Sequence, residues 1–253
     1  MNELITYFPY MIKNTIIELR YNLKQYVWWL AFNLSVIFLS VFLMNLSAPT
    51  ETDKSRLLFQ LSGYLLFFWV AGALYFSSSI LSRRGFILNI TSLPLYVLIN
   101  VQIINFLLQF LMSFVFLLVI ALSNHIHMAA SILGVFYFLV LTYLLLVPVG
   151  LTLSLLEYYS RNMKRMTIII LAILMLSVPI LWVPTQLPAL AVQLLSLNPF
   201  YFLVNGFQSS VVLGQVAFYN IPLHLLFICE LALMYIWTFY CYRKLKDEIN
   251  REK

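Results

Sequence analysis

Residues 184–220 read PTQLPALAVQLLSLNPFYFLVNGFQSSVVLGQVAFYN, a stretch without a charged side chain that is broken by Pro184, Pro188, Asn198–Pro199, Gly206 and Gly214. An aqueous loop of this length would carry charge, and an ordinary span would not be interrupted so often. One reading makes 200–219 a seventh span. That would put the basic tail across the membrane from the other basic segments, against the positive-inside rule. The reading favoured by that rule is two short helices, near 187–196 and 200–213, that dip into the outer leaflet and turn at Asn198–Pro199. Backbone at such a turn must be buried in protein or line a wet cavity.

Apolar runs long enough to cross a bilayer, about 20 residues, flank this stretch at 26–46, 57–80, 95–122, 131–156, 166–183 and 221–240. The 253-residue chain is 63% hydrophobic and 9% charged, where a soluble domain carries about a quarter charged residues. The solvent for most of it is lipid. The fold expected is an all-α integral membrane protein with six transmembrane helices, an N-terminal amphipathic interface helix and two short external re-entrant helices before the last span. Residues 1–25 form the interface helix, and 26–253 form one transmembrane domain containing the external segment 184–220.

Thirteen of the fifteen basic residues alternate with the spans on one side: Lys13, Arg20 and Lys24; Arg83 and Arg84; Arg161, Lys164 and Arg165; and Arg243, Lys244, Lys246, Arg251 and Lys253. On the other side, Lys54 and Arg56 are offset by Glu51 and Asp53. This predicts that both termini are cytoplasmic. It also spreads the net charge of +6 over membrane-flanking segments, which argues against nucleic acid as a partner. In the first 25 residues Ile5, Phe8, Ile12, Ile16, Leu19 and Leu23 recur at helical spacing, with Lys13, Arg20 and Lys24 off that stripe. Such a helix lies flat in the interface, as an anchor or as an element passing force to the first span. Glu3, Glu18 and the lack of a continuous apolar core lead us to expect no cleavable signal peptide in this stretch.

Chemistry-bearing motifs are sparse. The chain has no GxxxxGK[ST] loop, HExxH, CxxC pair or Ser/His/Asp set, so neither an ATP site nor an enzyme is expected. Cys229 and Cys241 read as small buried apolar residues. His125 and His127 make an incomplete metal site, and no metal is expected. Glu230, on the last span, is the clear intramembrane acid, with Glu157 at the end of the fourth. Such acids are functional candidates. A Glu230 hydrogen-bonded between helices is the plainer reading, and a proton relay with His224 the sharper one.

Three motifs taken in order carry a resemblance: Ser82-Arg83-Arg84-Gly85-Phe86 through Leu93–Pro94; Tyr158-Tyr159-Ser160-Arg161-Asn162-Met163-Lys164; and Leu197-Asn198-Pro199-Phe200-Tyr201 followed by Gly206. With the six-span layout, they resemble an ABC-2 type transporter permease, closest to the teichoic-acid and O-antigen or capsular polysaccharide exporters. Asn162 stands where that family often has Asp. The resemblance implies a homodimer in the bacterial cytoplasmic membrane, bound to two copies of a separate ABC ATPase that holds ATP and Mg, with no cofactor in this chain. It makes 81–94 a cytoplasmic coupling segment, with Arg83, Arg84, Phe86, Arg161 and Lys164 as ATPase-coupling residues. Alternatively, Arg83 and Arg84 only set topology. Asn198, Pro199 and Gly206 become the structural turn between the external helices.

The cargo implied is a lipid-linked glycan or teichoic acid, with a drug, peptide or simple lipid as the alternative. Aromatic rings suit a sugar path because their faces meet C–H groups while their polar edges make replaceable hydrogen bonds. Tyr26, Trp28, Trp29 and Phe32 cluster at the start of the first span, and Trp182, Phe200 and Tyr201 near the outer side. Trp and Tyr also populate bilayer interfaces without any such role.

Overall fold

The computed structural model describes residues 2–47, 50–83, 94–126, 128–160, 162–215 and 220–251, and the regular elements among them are helical. In chain order they are α1 (Asn2–Tyr21), α2 (Leu23–Leu46), α3 (Glu51–Ser77), α4 (Leu95–Ser123), α5 (Ile132–Tyr159), α6 (Met163–Ser177), α7 (Ala189–Leu195), α8 (Pro199–Val212) and α9 (Ile221–Arg251). A single 3-10 turn, Pro184–Gln186, precedes α7. Five helices, α2, α3, α4, α5 and α9, are long and apolar enough to cross a membrane. The chain is thus an all-α protein of membrane-spanning character.

The expected span at 166–183 is not one uninterrupted helix. Pro179 pushes the residue before it out of the α region, and Val178 is extended, with φ −103° and ψ 151°. Helix α6 therefore stops at Ser177 after 15 residues. At 1.5 Å per residue that is about 22 Å, short of the hydrocarbon core of about 30 Å.

The broken segment folds much as expected. Helices α7 and α8 are bent by 111° at the break between them, and the pair makes a sixth crossing only if counted as one span. Pro199 occupies the first turn of α8, where its missing N–H costs nothing. The Asn198 side chain caps that helix by accepting the Phe200 N–H at 3.0 Å. The role expected for Gly206 is corrected. It lies inside α8, not at a turn, and a Cβ there would sit 2.2 Å from the Phe138 ring. Its absent side chain lets α8 meet α5 closely. Gly214, just past α8, has the positive φ of 62° that favours glycine.

Helix α3 is the centre. Trp69 is fully buried and donates its indole N–H to the Ile103 carbonyl of α4 at 3.0 Å. At Gly72 a Cβ would lie 2.3 Å from the Phe106 ring, so α3 and α4 approach through a missing side chain, as small residues permit in membrane bundles. Helix α8 lies buried against α3 and α5. Gln208 Nε2 ties it to the Phe59 carbonyl at 3.0 Å and to the Pro179 carbonyl at 2.7 Å, satisfying backbone freed where α6 breaks.

Helix α9 joins the bundle at a proline. Pro148 within α5 cannot donate to the Leu144 carbonyl one turn back, and the Tyr235 hydroxyl of α9 donates to that oxygen instead, at 3.1 Å. Thr238 bonds the Pro148 carbonyl at 3.1 Å and Thr152 at 2.9 Å. An orphaned carbonyl inside a membrane is costly, so the proline builds its own docking point.

These contacts set the two ends of the bundle. Glu51, Asn124 and the start of α9 share one end. Arg83, the starts of α4 and α6, α1 and the last turns of α9 share the other. Helix α1 packs on the first half of α4 through Met11, Val97 and Val101. Its apolar stripe faces the other way, with Phe8, Ile12 and Ile16 exposed and Leu19 partly buried, while Leu23, expected on the same stripe, begins α2 and is exposed. The residues turned inward are Met11, Thr15 and Glu18.

Candidate functional site

At the Glu51 end, a cavity of about 920 Å³ lies between the first turns of α3, the α7–α8 pair and the start of α9. The break at Asn198–Pro199 makes it: two short helices set at a steep angle cannot fill the space that a straight span would occupy. Arg56 is the cation on its wall, with Gln193, Asn205, Ser209 and Gln215 as uncharged polar groups. Phe59, Phe138, Tyr201 and Phe202 supply ring surface. Trp182 stacks on Tyr201 at 6.0 Å and fixes its indole on the Leu176 carbonyl at 3.1 Å. Among the described lining residues there is no carboxylate, and His224 Nδ1 lies 2.8 Å from the Asn220 carbonyl of its own helix. The cavity therefore offers replaceable hydrogen bonds and flat apolar faces.

At the opposite end, two of the proposed coupling residues come together. The Arg83 guanidinium lies 5.4 Å from the Phe76 ring centre and the Lys164 ammonium 4.8 Å from that of Tyr75. These rings are neighbours at the end of α3, so both cations rest on one aromatic step. Glu157 holds the segment leading to Arg83: its carboxylate accepts the Leu81 N–H at 2.9 Å and the Ser82 N–H at 3.3 Å. Arg84, Phe86 and Arg161, with His127, lie outside the described residues.

Beside Arg83, a polar pocket of about 150 Å³ is lined by Glu18, Asn22, Gln25 and Gln102 among others. Glu18 is buried there, accepting from Gln102 Nε2 at 2.6 Å and from the Tyr26 hydroxyl at 3.2 Å. Sequence reading missed it, because Glu18 sits among charged residues of a surface-type helix. Its place on one helical face with Met11 and Thr15, seven and three residues back, was the available signal.

The aromatic candidates separate. Tyr26 is buried on Glu18, and Trp29 packs among Phe68, Phe76 and Phe106. Trp28 and Phe32 point outward from α2. Phe200 is buried, while Tyr201, with Trp182 stacked on it, borders the Glu51-end cavity. Glu230 is half-buried on α9 and makes no hydrogen bond or ion pair among the described residues, so the interhelical bond expected for it is not seen among them. His224 lies six residues away, turned toward Tyr137, Phe138 and Phe202. A six-residue offset puts the two side chains on different faces of α9, which gives a relay between them no direct route. Cys229 is exposed and Cys241 half-buried, correcting the expectation that both are buried; α9 is too thinly packed to cover them. Among the described residues no group of three or more metal-ligating side chains occurs.

The other feature missed is a polar row inside α4. Asn105, Gln109 and Ser113 follow one another at four-residue spacing and are all buried. The apolar run at 95–122 hides them, since three polar groups barely change its average. No protein-family model and no curated protein matches the chain.

Proposed function

We propose that the chain is the membrane permease of an ABC-2 type exporter, moving a lipid-linked polysaccharide or teichoic acid across the bacterial cytoplasmic membrane with energy from a separate ATPase. Both termini are cytoplasmic, two copies form the path, and each copy binds one ATPase at the Arg83 end. The observation that carries this reading is the broken α7–α8 pair before the last span, with its turn at Asn198–Pro199 and the cavity beneath it. The layout around it adds support, as does the pairing of Arg83 and Lys164 on adjacent rings beside a segment clamped by Glu157. The ring-lined cavity, with its amide and hydroxyl groups and Arg56 on the wall, suits hydroxyl-bearing cargo. An exporter of a drug, peptide or lipid shares all of these features, and stimulation of ATP hydrolysis by candidate cargo separates the two.

The test is purification of the tagged chain from its native membranes. A nucleotide-hydrolysing subunit, present in equal amount and inhibited by vanadate, is expected. Purification without one, from membranes where the chain is active, overturns the proposal.

A further inference from the structure

The row on α4 carries a second inference. Asn105, Gln109 and Ser113 are 0%, 3% and 1% exposed, yet both amide atoms of Asn105, both of Gln109 and the Ser113 hydroxyl have no hydrogen-bond partner among the described residues. Buried polar groups are nearly always paired, and leaving one unpaired costs free energy that an apolar residue would not. Five such atoms on successive turns, in the middle of a spanning helix, form a continuous strip.

By helical spacing the strip adjoins the face of α4 on which α2 packs. That helix touches α4 through Tyr26 and Trp29 on Phe106, at 6.1 and 6.3 Å, and through Asn45 on Asn124 at 3.0 Å. It is otherwise weakly held, only 17% of its apolar window being buried. Its own inner face adds Asn33, which accepts the Tyr64 hydroxyl at 3.0 Å. The strip itself is polar and uncharged, and amides offer donors and acceptors together. That pattern matches neutral hydroxyl groups.

We infer that Asn105, Gln109 and Ser113 form a substrate-contact strip for a polyhydroxylated cargo, covered by α2 in this conformation and exposed when α2 moves off α4. The inference rests on the exporter reading for its cargo. The strip itself is tested separately.

In a chain with Cys229→Ser and Cys241→Ser, the variants Gln109→Cys and Ser113→Cys are treated with a charged methanethiosulfonate. Intact cells and inverted membrane vesicles are both used, energised and resting. Ser113→Cys is nearly isosteric and keeps the test valid if Gln109→Cys misfolds. Phe110→Cys, buried, and Met112→Cys, on the exposed side of α4, are the controls. Because only a thiolate in water reacts, modification of the row is expected to be about tenfold faster in energised than in resting membranes, with both controls silent. A row silent in both states overturns the strip, and equal reactivity in both overturns the cover by α2. A reactive row in a preparation without an ATPase leaves the strip standing and removes the exporter reading. A silent row in one that hydrolyses ATP removes the strip alone.

Discussion

Helices α3 and α9 are both apolar enough to cross a membrane, but 78% of the spanning window of α3 is buried within the chain against 17% for α9. Apolarity does not distinguish them. Lipid tails are as apolar as leucine, so a span gains little by exchanging lipid for protein unless shape or hydrogen bonds reward the exchange. Helix α3 has those rewards: Gly63 and Gly72 admit a neighbouring side chain, and Trp69 bonds the α4 backbone. Helix α9 is held mainly at its proline-made docking point on α5.

The sharpest way to break this contrast is a matched pair of tryptophans. Trp69→Ala should destabilise the purified protein by about 3 kcal/mol, because in lipid the cavity left behind still costs while the transfer part shrinks. Trp237→Ala, on the exposed face of α9, should change stability by less than about 0.5 kcal/mol. Thermal unfolding in one detergent compares them, and an equal loss would mean that α9 is covered by a second copy. Next in size, Gly72→Val should cost about 1–3 kcal/mol by forcing Phe106 from its place. Retention of the parental melting temperature would show that the α3–α4 approach is looser than described.

Tyr235→Phe removes only an oxygen, yet leaves the Leu144 carbonyl without its donor. A loss of about 1 kcal/mol is expected, along with faster proteolysis near α9. No change would leave the proline-docking account without support. Asn198→Ala should cost about 1 kcal/mol through the lost cap of α8, and Asn198→Asp should restore most of it in the same melting assay. Smallest of all, Glu230→Gln should alter stability by less than about 0.5 kcal/mol, as expected of a group with no partner among the described residues. A larger shift that appears only in the oligomeric fraction would place Glu230 at a contact between copies.

Much of the fold was legible. The apolar runs matched five spanning helices, and Asn198–Pro199 marked the break, since an N-capping side chain followed by proline specifies a helix start whatever surrounds it. The end of α6 was readable too, from Pro179, but a hydropathy run does not stop at a proline. The site was less legible. Arg83 and Lys164, eighty residues apart in sequence, share an aromatic step that no local pattern announces. Gly206 looked like part of a turn and is a contact point, because glycine serves both ends and only its neighbour Phe138 decides between them.

The sequence by itself determined the solvent, the helical class and the places where helices must begin or stop. Those follow from composition, capping groups and prolines, which act on their own chain segment. Tertiary structure alone decided which helix is central, that Glu18 is buried while Cys229 is not, and that a polar row on α4 is buried without hydrogen-bond partners among the described residues. To an apolar side chain, lipid and protein interior are nearly the same medium. Only the packing of small and polar groups tells them apart.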